Sequence, residues 1–405
     1  MSLSSQSSPP LSAAPAAAGG SVFLKLLPLT LAVFIGFLTM GMQLPVLPLY
    51  LHNSLGMSTL VVGLVIGAQF TVALLSRAWA GNFADMRGTK RAVLTGAVII
   101  ASSGLVYLAS LPFVATPVVS VWILLAGRVL LAIGESLMVT GALGWGIGLV
   151  GPQNAGKVMA WVGIAIYGAF AFGAPAGVAI HAQLGFAGIG IATISMPVVA
   201  LLVALYIPAI PPTATTRLPF YKVLSTVMVP GLGLALASIG FGVITAFSAL
   251  LFAAKNWGNS SLAFTFFGVA FIGARILFGH LPDKLGGARV AFVNVVVEAA
   301  GLLLIWWADT SSMAYIGVAL TGFGYSLAFP GFGVEAARRA PPQSRSVAMG
   351  AYVAFLDMSL GIVSPLAGFI AGHWGVDAVF LAASVAVALS LLVAVRLLGK
   401  ASASV

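Results

Sequence analysis

One charged turn occurs twice in this chain, each time between long apolar segments, and that duplication constrains the fold more than any other feature. Gly81-Asn82-Phe83-Ala84-Asp85-Met86-Arg87-Gly88-Thr89-Lys90-Arg91 returns as Gly279-His280-Leu281-Pro282-Asp283-Lys284-Leu285-Gly286-Gly287-Ala288-Arg289. The first Gly, the Asp, the second Gly and the last Arg are all displaced equally (279 − 81 = 198), and Arg77 and Arg275 keep the same spacing. Two apolar halves with one basic turn at matching places are the mark of parallel structural repeats in a membrane protein.

The apolar content fits only that setting. With 60% hydrophobic residues, 6% charged residues and a mean hydropathy of +1.12, the chain has more apolar surface than one water-soluble core can hide. Runs of about twenty apolar residues suit helices that cross roughly 30 Å of hydrocarbon, and the short alternating segments of an outer-membrane barrel do not occur. The net charge of +10 lies in short loops, where it signals orientation and argues against a nucleic-acid partner. From Lys25 and the 87–91 cluster to Arg396 and Lys400, the basic residues fall on one side, with Lys255 alone on the other, so both termini are expected to be cytoplasmic. The absence of cysteine excludes disulfides, thiol catalysis and cysteine-ligated metals. Without a His/Glu metal cluster, a nucleotide-binding loop or a soluble domain, neither an enzyme nor a cofactor is expected.

The expected organisation is a disordered tail (1–22), a six-helix bundle (23–209), a cytoplasmic linker (210–227) containing Pro211, Pro212, Arg217 and Lys222, a second six-helix bundle (228–398) and a short tail (399–405). Segments 26–51, 58–83, 92–111, 117–150, 158–181 and one ending near 208 form the first bundle. Segments 228–254, one running from 261 into the second turn, 290–307, 313–334, 347–372 and 376–398 form the second. Pro45 and Pro48 each remove an amide donor, so the outer part of the first segment is expected to bend.

Polar residues within these segments are the candidate functional groups. Gln43 faces either a cavity or another helix, and Gln69 and Tyr325 join it as candidate cavity residues. Arg77 either snorkels to the interface or has a function. Arg128 and Glu135 lie about two turns apart on one helix face, either as a functional intramembrane pair or as a structural ion pair. Gly173, Pro175 and Gly177, with Pro365 at the corresponding place in the second half, form either a bend or a glycine packing surface. Glu298 and Arg275 fall at similar depth and are expected to neutralise one another. Gly324 and Ser326 repeat Gly134 and Ser136 at a shorter offset (324 − 134 = 190), with Tyr325 in the place of Glu135. Asp357 lies near the middle of its segment.

These motifs resemble the major facilitator superfamily over nearly the whole chain. The 81–91 turn is similar to that family's signature loop, with Met86 where a basic residue is usual. Arg128 with Gly134 resembles the helix-four motif linked to proton coupling. Gly168 to Gly177 resembles the helix-five antiporter motif, with Ala174 in place of a glycine. Pro45-Val46-Leu47-Pro48 looks like helix one of drug and sugar exporters, and Gly134-Glu135-Ser136, Phe329-Pro330 and Phe355-Leu356-Asp357 most resemble the YhhS-like branch, often grouped with arabinose-efflux-type permeases.

The resemblance implies an all-α membrane protein of twelve helices in two pseudo-symmetric six-helix bundles, monomeric, in a bacterial inner membrane. It implies secondary active transport by alternating access, as proton-coupled efflux of a sugar-like, drug-like or metabolite substrate; the alternative is a proton-coupled importer. Glu135, Asp357 and Arg128 are then the candidates for proton coupling. Gly81, Asp85, Gly88, Lys90, Arg91, Gly279, Asp283, Gly286 and Arg289 are the candidates for gating, and the implied partners are a small molecule, protons and lipid.

Overall fold

The computed structural model describes residues 22–211, 220–340 and 345–402. The expected tails 1–21 and 403–405, and the linker residues around Pro212 and Arg217, lie outside the described residues. The helices are α1 (Val22–Leu49), α2 (Thr59–Arg87), α3 (Thr89–Ser110), α4 (Pro117–Val150), α5 (Ala155–Leu205), α6 (Phe220–Ala254), α7 (Ser261–Phe278), the short α8 (Leu281–Leu285), α9 (Gly287–Trp306), α10 (Ser311–Arg339), α11 (Arg345–Trp374) and α12 (Val376–Ser402).

Among the described residues, eleven helices are long and apolar enough to cross a membrane. One of them, α5, has 51 residues, which as a straight helix would run about 75 Å, more than twice the hydrocarbon thickness. Gly185, at φ 62° and ψ −160°, interrupts it. Before that glycine, Gly173 and Gly177 press on Gly41 and Met42 of α1; after it, Gly190 presses on Leu108 of α3. α5 therefore crosses twice, giving twelve crossings. The sequence reading ended the first of them at His181, whereas helical geometry continues to the one residue able to take the reversing conformation without strain. At the end of α1 the proline pair is followed by a π-helical turn, Tyr50–Ser54, so the distortion widens the helix at its exit.

The repeat is visible in the hydrogen bonds themselves. Ser136 Oγ of α4 donates to Ala73 O of α2 at 2.9 Å, and Ser326 Oγ of α10 donates to Phe271 O of α7 at 2.8 Å, the same bond in each half. Gly134 lies against the backbone of Gly96 and Ile100, and Gly324 against the backbone of Asn294 and Glu298. Lipid offers no hydrophobic drive between helices, so such close approaches supply dispersion contacts in its place. The two basic turns also share one geometry: Gly88 has φ 96° and ψ 143°, Gly286 has φ 92° and ψ 138°. A side chain at either position would be strained, which accounts for the repeated glycine.

The two halves meet along α2 with α11, α5 with α7 and α1 with α6. Near the face opposite the chain ends, Thr59 Oγ1 donates to Gly368 O at 2.9 Å. A methyl group built on Gly67 would lie 2.8 Å from Pro365 Cδ and 2.9 Å from Gly361 O, so α2 and α11 touch backbone to backbone there. α6 is the most enclosed span and forms the centre of the second half.

Candidate functional site

Buried polar groups lie both on the seam between the halves and within each half. Arg77 of α2 reaches Asp357 of α11 across the seam, with Nε and Nη2 both 2.6 Å from Oδ2. Asp357 is 3% exposed and the Arg77 side chain 22%, so the pair sits in a low-dielectric setting where its attraction is strong. Arg77, which the sequence left undecided, is held on the seam by a carboxylate 280 residues away and does not snorkel.

In the first half, Glu135 and Arg128 belong to separate networks and form no ion pair, so the structural-pair alternative does not hold. Gln69 Nε2 donates to Glu135 Oε2 at 2.6 Å. Arg128 Nη1 donates to Gln43 Oε1 at 3.0 Å, and Tyr107 Oη donates to the same oxygen at 3.2 Å. Gln43 Nε2 completes that network by donating to Thr193 Oγ1 at 3.1 Å. Gln43 thus fixes the guanidinium, while Arg128 Nε and Gln69 Oε1 remain buried without partners. Gln43 and Arg128 line a cavity of about 10 Å³ together with Thr245 from the second half, space for about one water. Of the expected cavity residues, Gln43 faces both this space and neighbouring helices, while Gln69 is enclosed.

Tyr325, the third, is fully buried in an aromatic cluster that spans the seam. Tyr167 of α5 stacks on Phe271 of α7 with ring centroids 3.7 Å apart; Phe241 of α6 lies parallel to Tyr325 at 5.7 Å and to Phe170 at 6.0 Å. Stacked rings fill the midplane with large, rigid apolar surface while leaving hydroxyls at its edge.

The expected neutralisation of Arg275 by Glu298 does not occur. Glu298 is fully buried, both carboxylate oxygens lack a partner, and Oε1 faces Gly240 of α6. Arg275 turns instead to α10 and donates from Nη2 to Ser326 O at 2.9 Å. Similar depth did not bring them together because each helix points its side chain at a different neighbour.

The turn residues have distinct settings. Lys90 Nζ donates to Leu205 O and Ile207 O, both at 2.7 Å, and lies 5.8 Å over the Trp145 ring, whose Nε1 donates to Pro208 O at 2.9 Å. A cation there caps the carbonyl end of α5. Asp85 is half-buried, whereas Arg91, Asp283 and Arg289 are exposed; Gly81 is buried, and the Gly279 amide donates to Arg275 O at 3.0 Å. Gly173, Gly177 and Pro365 serve as packing surfaces, and Pro175 lies within continuous helix. Among the described residues no group of three or more His, Cys, Asp or Glu could hold a metal ion.

Comparison with known proteins agrees with this architecture. The family model for the Major Facilitator Superfamily matches residues 29–253 and 230–404. An uncharacterized MFS-type transporter of Burkholderia mallei (strain SAVP1) is 46% identical over 355 residues, covering 88% of this chain and 87% of that protein. Another, from Salmonella typhimurium (strain LT2), is 42% identical over 370 residues, covering 91% and 95%. Among solved structures, the human organic anion transporter MFSD10 (TETRAN) superposes with a TM-score of 0.69 at 16% identity, covering 93% of this chain and 100% of that one. A variant of the nucleoside transporter NupG gives 0.69 at 13%, covering 92% and 99%. At such identities the structural likeness speaks to the fold, while the sequence relatives and the family model speak to descent: the chain belongs to the major facilitator superfamily.

Proposed function

We propose that this membrane transporter is a proton-coupled exporter of a small organic solute, working by alternating access and belonging to the YhhS-like branch. The observation that carries the proposal is the Arg77–Asp357 pair, because it joins the two bodies that must move apart. While Asp357 is ionised, the pair ties α2 to α11. A proton on Asp357 cancels the charge that holds Arg77, and the seam loses its strongest electrostatic tie. Glu135, held only by Gln69 and near the same seam, is a second carboxyl able to carry a proton between the two access states. In an antiport cycle, substrate and proton then stabilise opposite arrangements of the halves.

Further parts of the reading follow from charge distribution. The chain ends and basic turns lie at the cytoplasmic face of a bacterial inner membrane. Asp85 and Asp283 contribute to gating there, and the protein acts as a monomer.

The experiment is proton flux in liposomes under an imposed pH gradient, with Asp357→Asn and Glu135→Gln measured separately. Loss of proton-driven transport with substrate exchange retained supports coupling. Wild-type pH dependence in both variants rejects it. Import is the second reading, favoured by nothing specific in the geometry; substrate-induced proton movement in the same direction as substrate would establish it.

A further inference from the structure

Symmetry calls for an acid opposite Arg275, and the sequence puts a tyrosine there. Arg275 follows Arg77 by 198 residues, and the offset that relates α5 to α11 makes Tyr167 the counterpart of Asp357 (357 − 190 = 167). Both positions lie on seams between the halves, α2 with α11 in one case and α5 with α7 in the other. Arg77 gives Nε and Nη2 to a carboxylate oxygen. Arg275 has the same guanidinium in the same setting, but its Nε is buried without a partner. Its Nη2 reaches only the Ser326 carbonyl, and the group lies over the Phe271 ring, 5.2 Å from the centroid.

Snorkelling does not account for this side chain. α7 ends at Phe278, within one turn, yet the guanidinium bends back to a carbonyl in the middle of α10. Nor does a neighbouring acid answer it. Glu298 on α9 faces Gly240. On α5 the facing ionisable group is Tyr167, on α10 Tyr325 and on α11 Tyr352, all of them within electrostatic reach. The Tyr352 hydroxyl is committed to Phe329 O, while the buried Tyr325 hydroxyl lies beside those of Tyr167 and Ser238. Tyr167 stacks on the same Phe271 ring that Arg275 covers.

We propose that Arg275 receives an anionic group of the transported solute, and that Tyr167, Phe271 and Tyr325 hold the planar part attached to it, so that the solute is a small aromatic or planar organic anion. A guanidinium binds a carboxylate through parallel charge-assisted hydrogen bonds, and it does so most strongly away from water. In this arrangement the rings stack on one another, Tyr167 on Phe271 and Tyr325 on Phe241; when the α5–α7 seam opens, the same faces are left to take up a flat, conjugated body. The solute thereby supplies on one seam the charge that Asp357 supplies on the other. This inference rests on reading the space between the halves as the transport path.

The test is the thermal stability of purified, detergent-solubilised protein with benzoate, phenyl phosphate, benzamide or acetate, with no gradient applied. Benzoate is expected to raise the melting temperature by about 2–3 °C at roughly ten times its Kd and further as its concentration rises, with benzamide inert and acetate weaker; the phenyl phosphate arm separates a carboxylate from a phosphate preference. Arg275→Gln should abolish the shift. Tyr167→Asp should abolish it too, while raising the ligand-free melting temperature, because it supplies the missing acid; this variant carries the test should Arg275→Gln not fold. Equal protection by benzamide, no benzoate shift in the wild type, or a benzoate shift that survives both substitutions overturns the assignment. Because binding is read without transport, a failure here leaves proton coupling to be judged on flux alone, and the reverse.

Discussion

At matched positions on α4 and α10 this transporter carries hydrogen-bonded charge in the first half and stacked rings in the second. Glu135 with Gln69 corresponds to Tyr325 with Phe267, and Arg128 corresponds to Val318. Glu298, a buried acid without a partner in the second half, stands where the first half has the buried Ile100. The backbone-dependent contacts did not diverge in this way: the serine-to-carbonyl bond, the glycine approaches and the positive-φ turn are the same in both. The skeleton of a repeat is therefore constrained by close packing, whereas the chemistry on it is free to differ between copies.

If the skeleton is shared, matched skeletal lesions must be equally severe. Gly134→Leu and Gly324→Leu each drive a side chain into a neighbouring helix backbone and should cost about 3 kcal/mol or more. Both variants should lose the monodisperse peak in fluorescence-detected size exclusion; a normal peak for only one would break the equivalence. The seam pair comes next. Asp357→Asn leaves Arg77 without its anion and should destabilise by about 2 kcal/mol, less than the roughly 3–5 kcal/mol of a fully enclosed pair because Arg77 keeps some exposure. Arg77→Gln combined with Asp357→Asn should recover part of that loss, as read by thermal unfolding in detergent, and strict additivity of the two would show that they are not coupled.

A smaller effect distinguishes the two turns. Lys90→Met removes two charge-assisted bonds to the end of α5 and should cost about 1.5 kcal/mol. The matching Ala288 makes no such bonds, and because it is buried Ala288→Ser should cost up to about 1 kcal/mol, still less than Lys90→Met. The smallest change is Glu298→Ile, which restores the residue of the first half. Replacing an unpartnered buried acid by an apolar group of similar size should be neutral or stabilising by about 1 kcal/mol, with transport retained. Loss of proton-driven flux in this variant would add Glu298 to the proposed proton-handling groups and show that its difference from Ile100 is functional.

The helices, the repeat and the glycine turns were legible in the sequence because each rests on local properties: apolar length, spacing and the freedom of Gly88 and Gly286 to adopt positive φ. Position near the middle of an apolar segment likewise singled out Glu135 and Asp357 as candidates. The partners were not legible. Arg77 and Asp357 are 280 residues apart and meet only because the halves close on each other. Arg275 and Glu298 show the converse: counting residues fixes depth along an axis, and rotation about that axis, set by Gly240 and Ser326, decides contact. The bonds of Lys90 to Leu205 O and Ile207 O were not legible either, because those carbonyls lie 115 and 117 residues further along the chain.

The seam near Thr59 and Gly368 has its own consequence for how the halves move. Gly63, Gly67, Gly361 and Gly368 bring two main chains together with few side chains meshed between them. A surface of that kind works as a bearing: one helix can roll over the other without any rotamer having to jump. Friction at this contact is then low, and the balance between the two access states is set elsewhere, by charge and solute. A ligand favouring one state by a factor of about 10⁴ would carry that balance from 1:99 to 99:1.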